Sequence, residues 1–122
     1  IENQIFWIEF LDDLKNFYKS IDIFVLTSHY EGLGLVFLEA MLGKRPIICS
    51  NLSAMPEIVK NNYNGLLVKP NRPILLSESI KLLYNHSFRK KLSSNGFLFV
   101  KKNFSVNKMY SETINIYKTK EK

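Results

Sequence analysis

The sequence has 122 residues, 46% of them hydrophobic and 23% charged, with a formal net charge of +6. That length supports one hydrophobic core and excludes two domains of ordinary size, and the composition excludes a disordered or fibrous chain. No apolar run reaches the roughly 18 residues of a membrane span, no signal peptide is visible, and no Cys/His cluster has metal-ligand spacing, so no protein-bound metal is expected. The single Cys49, at the end of a predicted buried strand, excludes an internal disulfide and fits a reducing cytoplasm. Much of the positive charge follows residue 88, at Arg89, Lys90, Lys91, Lys101, Lys102, Lys108, Lys118, Lys120 and Lys122. It reads as a solvated helix face and tail, with peripheral attraction to anionic lipid headgroups as the functional alternative. No nucleic-acid recognition motif accompanies it.

Taken in order, the chain begins without a methionine and enters an apolar run, Ile5 to Ile8, that predicts a strand; it reads as a piece of a longer protein. Asp12 is a suitable N-cap for a helix that places Leu14, Phe17 and Tyr18 on one face. Asp22 to Thr27 is a β-branched and aromatic run of the kind found in buried parallel strands. A turn, Ser28 to Gly34, carries Glu31 and two glycines, Gly32 and Gly34. The next helix is predicted over Leu35–Leu42, with Gly43 as a left-handed C-terminal cap. Pro46 opens a strand over Ile47–Cys49. After the loop Asn51–Ala54, Pro56 suits a helix start, and Glu57 is given a structural role at the favourable end of its dipole. Asn61–Gly65 forms a turn and Leu66–Val68 a short strand. Pro70, Asn71 and Pro73 punctuate the entry to a helix reaching about Tyr84, with Asn71 as its cap and Leu76, Ile80 and Leu83 at core spacing. His86 falls in the following loop as a solvated histidine. A helix over Phe88–Lys102 precedes Ser105, the cap of a last helix whose Val106, Met109, Tyr110, Thr113 and Tyr117 follow helical spacing. Strands alternating with helices predict an α/β fold with a small parallel sheet. There is no internal repeat and no low-complexity segment.

The informative residue is Glu39. Its helix neighbours are Leu35, Val36, Phe37, Leu38, Ala40, Met41 and Leu42, apolar on every face, which predicts a buried helix. A carboxylate there is costly unless it is hydrogen-bonded, either by a protein group or by a ligand in a cleft. At the start of the helix, the unpaired amides of Gly34, Leu35 and Val36 and the positive end of the dipole favour an anion. Glu39 lies about 7 Å further along the axis, at ~1.5 Å per residue. A nucleotide sugar matches this order, with sugar hydroxyls at Glu31, diphosphate at the amides and the ribose diol at Glu39. A carboxylate accepts from both hydroxyls of a diol at once.

The string Ser28-x-x-Glu31-Gly32-x-Gly34-Leu35-x-x-x-Glu39-Ala40-Met41-x-x-Gly43-x-x-Pro46 resembles the Glu-x7-Glu signature of retaining glycosyltransferases of the GT-B fold, family 4 type (glycosyl transferases group 1). Pro56-Glu57-Ile58-Val59 and Asn64-Gly65-Leu66-Leu67-Val68-x-Pro70 are similar to that family's next two blocks, in the right order. The resemblance implies one donor-binding domain over residues 1–122: part of the Rossmann-like C-terminal half of a GT-B enzyme, without its N-terminal domain or the start of its own. It implies a catalytic, sugar-orienting Glu31, and contacts to phosphate and sugar from Gly32, Leu33, Gly34, Leu35 and Val36. Glu39 would hold the ribose, and Glu9 and Phe10 would approach the base. The donor is expected at the carboxyl ends of the strands. Expected partners are a UDP-sugar, with a GDP-sugar as the alternative, and a glycan or lipid acceptor of the bacterial cell surface. Transfer would proceed with retention, without metal or cofactor, and the chain alone would be inactive. Two departures are visible: Ser53-Ala54 stand where relatives usually have paired glycines, and Arg72 where they tend to have an aspartate. The rival readings are a non-catalytic GT-B fragment and a GT-B nucleotide-sugar epimerase.

Overall fold

The computed structural model describes residues 2–119. A 3-10 turn at Glu2–Gln4 is followed by α1 (Leu14–Ser20), β1 (Phe24–Leu26), α2 (Leu35–Leu42), β2 (Ile47–Ser50) and α3 (Met55–Ile58). Then come β3 (Leu66–Val68), α4 (Pro73–Leu82), α5 (His86–Asn103) and α6 (Val106–Thr119). The three strands form one parallel sheet in the order β1-β2-β3, with Val25 opposite Ile48 and Cys49 opposite Leu67.

The central strand explains the layering. All four residues of β2 are buried, as expected of a parallel strand covered on both faces. Because side chains alternate, Ile47 and Cys49 join one core with Tyr18, Phe37, Met41, Met55 and Val100, while Ile48 joins Leu66, Val68, Leu83 and Leu92 on the other face. Helix α5 serves both cores, entering the second through Leu92 and the first through Val100. Burial in this core pushes the Cys49 thiol up to about 12. The Leu76, Ile80 and Leu83 face of the α4 region packs as its spacing predicts, although α4 itself ends at Leu82.

Several expectations are corrected. Residues 5–8 form no strand: Phe6 and Trp7 are 84% and 91% exposed, and among the described residues no strand pairs with the outer edge of β1. An apolar run becomes a strand only in a ladder, and here it has none. Asp13, not Asp12, caps α1, its side chain accepting from the Asn16 N–H at 3.0 Å. β1 is three residues long rather than six, because only Phe24–Leu26 lie opposite β2. Gly43 is right-handed, and Lys44 takes the left-handed conformation after α2 (φ 56°). Its glycine has a packing reason instead, since a Cβ would lie 2.7 Å from the Tyr18 Cβ. Arg72, not Asn71, occupies the N-cap of α4 and makes no side-chain cap bond. Pro73 in the first turn removes one N–H that would need an acceptor. Helix α5 starts at His86 rather than Phe88, because Asn85 accepts from the Phe88 N–H and supplies a cap. Ser105 caps α6 as expected, accepting from the Lys108 N–H. Finally, α2 is not buried all round: Leu35 and Leu42 are 62% and 49% exposed. One stripe of this apolar helix faces solvent, and Glu39 is half-buried.

Candidate functional site

The turn from β1 into α2 runs over residues 28–34. Gly34 carries it into the helix from the left-handed region, at φ 59° and ψ 57°, and the site a Cβ would occupy is 2.6 Å from the Phe37 ring. Conformation and packing both demand glycine there. Gly32 has neither demand, since a Cβ placed on it would meet nothing within 4 Å. The N–H groups of Gly34, Leu35 and Val36 precede the first full helical turn and have no intrahelical acceptor, and Leu35 leaves this end open to solvent. These features fit an anion at the helix start.

Glu31 is half-buried in the turn. Its backbone carbonyl accepts from the Ser53 Oγ at 2.8 Å, which ties the turn to the loop after β2. Ser53 itself is left-handed, at φ 53°. The chain therefore keeps a glycine-like backbone at the departure from the resembled pattern, and the hydroxyl adds a bond that glycine lacks. Among the described residues, no hydrogen bond or ion pair engages the Glu31 carboxylate.

Glu39 contrasts with this. The Tyr18 hydroxyl donates to Glu39 Oε2 at 3.0 Å across the α1–α2 seam. Tyr18 is 5% exposed, and its phenol is pushed up to about 12 by burial first, then by the hydrogen bond to the Glu39 carboxylate and its negative charge. Helical spacing puts Tyr18 on the core face of α1 but assigns it no role. Two demands signal the pairing: a buried tyrosine needs a partner for its hydroxyl, and a carboxylate in an apolar helix needs a donor.

Of two cavities near the motif, one is bordered by none of the predicted site residues and the other by Tyr18 and Glu39. One, of about 250 Å³, opens at the carboxyl ends of the strands and is lined by Thr27, His29, Ser50, Lys69 and Arg72 among others. This is the end at which ligands enter parallel α/β sheets. The other, of about 380 Å³, lies beside Glu39 and is lined by Leu14, Lys15, Tyr18, Lys19, Leu42 and Gly43. Glu31 lines neither of them, and Glu9 and Phe10 are not among their residues either. Glu57 sits exposed in the first turn of α3, and His86 is exposed at the start of α5. Among the described residues no group of three or more His, Cys, Asp or Glu is placed to hold a metal, and no helix is long and apolar enough to cross a membrane.

Comparison with known proteins gives consistent results. The family described as glycosyl transferases group 1 matches residues 1–99. The O-antigen chain mannosyltransferase B of Escherichia coli is 37% identical over 118 residues, which cover 92% of this chain and 30% of that protein. The C-terminal domain of a glycosyl transferase group 1 family protein from Francisella tularensis superposes with a TM-score of 0.73 at 32% identity, over 84% of this chain and 53% of that one. HepE of Anabaena, solved in complex with UDP-glucose, superposes with a TM-score of 0.85 at 25% identity, over 93% of this chain and 33% of that one. The chain spans 28% to 31% of the length of curated relatives such as these. On sequence and on fold, the chain belongs to the glycosyl transferases group 1 family, and its α/β architecture is that of the C-terminal domain of a GT-B glycosyltransferase.

Proposed function

We propose that residues 1–122 form the nucleotide-sugar-binding part of a retaining glycosyltransferase, and that the complete enzyme transfers a sugar from a UDP-sugar to a glycan or lipid acceptor of the cell surface. The observation that carries this reading is the half-buried Glu39 carboxylate, held on one oxygen by Tyr18 and lining a cavity, on a helix that starts at a left-handed glycine with Leu35 exposed beside it. The UDP-glucose complex of HepE and the O-antigen relative support the donor and acceptor classes. A GDP-sugar is the alternative donor.

In this reading the ribose diol lies at Glu39, the diphosphate meets the amides of Gly32, Leu33, Gly34, Leu35 and Val36, and the sugar hydroxyls reach Glu31. Glu31 orients the sugar for attack by the acceptor, and no step requires it as a nucleophile. A departing diphosphate develops charge that must be stabilised, and helix amides supply part of that. The remainder falls to residues outside this chain, so residues 1–122 alone bind donor without turning it over. Reaction without a metal and a cytoplasmic location, with the free Cys49 kept reduced, complete the reading. The cations of α5 and α6 support peripheral contact with anionic lipid.

The test is a calorimetric titration with UDP and with GDP, on the longest natural protein carrying this sequence and on its Glu39→Ala variant. Saturable binding of one nucleotide, weakened about 10- to 100-fold in the variant, is expected from the loss of charge-assisted hydrogen bonds. An unchanged affinity removes the ribose role of Glu39, and absence of binding by the folded wild type favours the non-catalytic reading.

A further inference from the structure

The Tyr18–Glu39 contact is built more firmly than an incidental side-chain bond. The Tyr18 ring packs edge-on against Phe17 at 5.4 Å and Phe24 at 5.8 Å between centroids, and Phe24 in turn meets Phe37 of α2 at 6.2 Å. Such T-shaped pairs favour one ring orientation. On its backbone side the residue rests against the end of α2 where Gly43 has no side chain, with 2.7 Å between the Tyr18 Cβ and the point a Cβ on Gly43 would occupy. Two aromatic neighbours thus hold the ring edge-on, and Gly43 lets the Tyr18 backbone sit close against α2. Its hydroxyl reaches Glu39 Oε2 from there at 3.0 Å.

A carboxylate has about four lone-pair sites, and Tyr18 occupies one of them. Among the described residues no other group donates to the Glu39 carboxylate, so Oε1 is left unengaged by protein, on a residue that lines the 380 Å³ cavity. Resting on the nucleotide reading above, we infer that Tyr18 is a positioning residue for donor binding: its hydroxyl fixes the rotation of the Glu39 carboxylate so that the unengaged oxygen meets the ribose diol. The bond also satisfies a half-buried carboxylate when no ligand is present, so the site is oriented before the nucleotide arrives. Pre-orientation lowers the ordering cost of binding.

The experiment compares UDP with 2′-deoxy-UDP, which lacks one hydroxyl of the diol, on the longest natural protein carrying this chain and on its Tyr18→Phe variant. Wild type binds UDP about tenfold more tightly than the deoxy analogue, as expected for one hydrogen bond to a charged group. Tyr18→Phe keeps the ring and loses the orienting bond, so UDP weakens about five- to tenfold while the deoxy analogue, which keeps only the 3′ hydroxyl, weakens less, and the discrimination narrows. Tyr18→Phe added to Glu39→Ala changes nothing further. Equal weakening of both nucleotides, or preserved discrimination, overturns the role of Tyr18 and leaves the nucleotide reading standing. A wild type that binds neither nucleotide, or binds both equally, overturns the ribose reading and this inference with it. If Tyr18→Phe does not fold, Gly43→Ala carries the test: it keeps the hydroxyl but displaces the ring, and it must also lower the discrimination, an unchanged ratio overturning the inference.

Discussion

Two glutamates eight residues apart on one motif are held in opposite ways. Glu39 stands on a helix, half-buried, with its carboxylate bonded to Tyr18. Glu31 stands on a turn, its carboxylate engaged by no described residue, and only its backbone is tied, through Ser53. The difference matches what each is asked to do under the proposed function. A nucleotide handle recognises an unchanging part of every donor and gains from a fixed carboxylate. A group that follows a reacting sugar needs a fixed backbone with an uncommitted side chain.

The largest effect expected separates these roles. Glu31→Ala should lower turnover of the complete enzyme about 10²- to 10³-fold, the range for losing one group that acts in the transition state, while nucleotide affinity stays near wild type. Steady-state kinetics beside nucleotide titration measures both. Near-normal turnover would sink the assignment, and a loss shared with nucleotide affinity would erase the contrast with Glu39.

The two glycines of the turn sharpen the comparison at the next scale. Gly34→Ala places a Cβ at φ 59° and 2.6 Å from the Phe37 ring. Strain of roughly 1 kcal/mol from the left-handed backbone adds to repacking of a fully buried ring, for about 2–4 kcal/mol in all. Gly32→Ala meets nothing within 4 Å and should stay within about 0.5 kcal/mol. Denaturant midpoints on the two variants settle the ranking. A costly Gly32→Ala beside a neutral Gly34→Ala would mean that the turn is held in another conformation.

How much of this is legible in the sequence follows from which interactions are local. Helix α2 is expected over Leu35–Leu42 and has those bounds: the left-handed Gly34 opens it, and past Gly43 the chain turns left-handed at Lys44. β3 is likewise bounded by Gly65 and Pro70 and is found at Leu66–Val68. Residues 5–8 have strand composition but no strand partner among the described residues, and pairing is not a local property. Gly43 shows a subtler limit. A glycine after a helix is read as a conformational cap, yet here it is the Tyr18 Cβ that excludes a side chain. The Tyr18–Glu39 bond spans 21 residues, so spacing alone raises the question of a partner for Glu39 and leaves its answer to the fold. The roles proposed for Glu31 to Glu39 come from the motif as a whole. The structure adds that the strand-end cavity and the Glu39 cavity have separate linings.

The smallest expected effect concerns Ser53, and it tests whether the Glu31 turn is held at all. Two terms oppose each other there. A serine at φ 53° carries about 1 kcal/mol of backbone strain that glycine would not. Its Oγ makes a 2.8 Å bond to the Glu31 carbonyl, worth roughly 0.5–1.5 kcal/mol. Ser53→Gly relieves the first and loses the second, so its stability should lie within about 0.5 kcal/mol of wild type. Ser53→Ala keeps the strain and loses the bond, and should cost about 1 kcal/mol. Stability and activity then come apart. If the bond holds the turn for Glu31, Ser53→Gly lowers turnover several-fold despite its unchanged stability, because the added freedom falls on the segment that carries the carboxylate proposed to orient the sugar. If turnover in Ser53→Gly equals wild type, the bond is only a loop contact, and the turn owes its shape to Gly34 and the Phe37 ring alone.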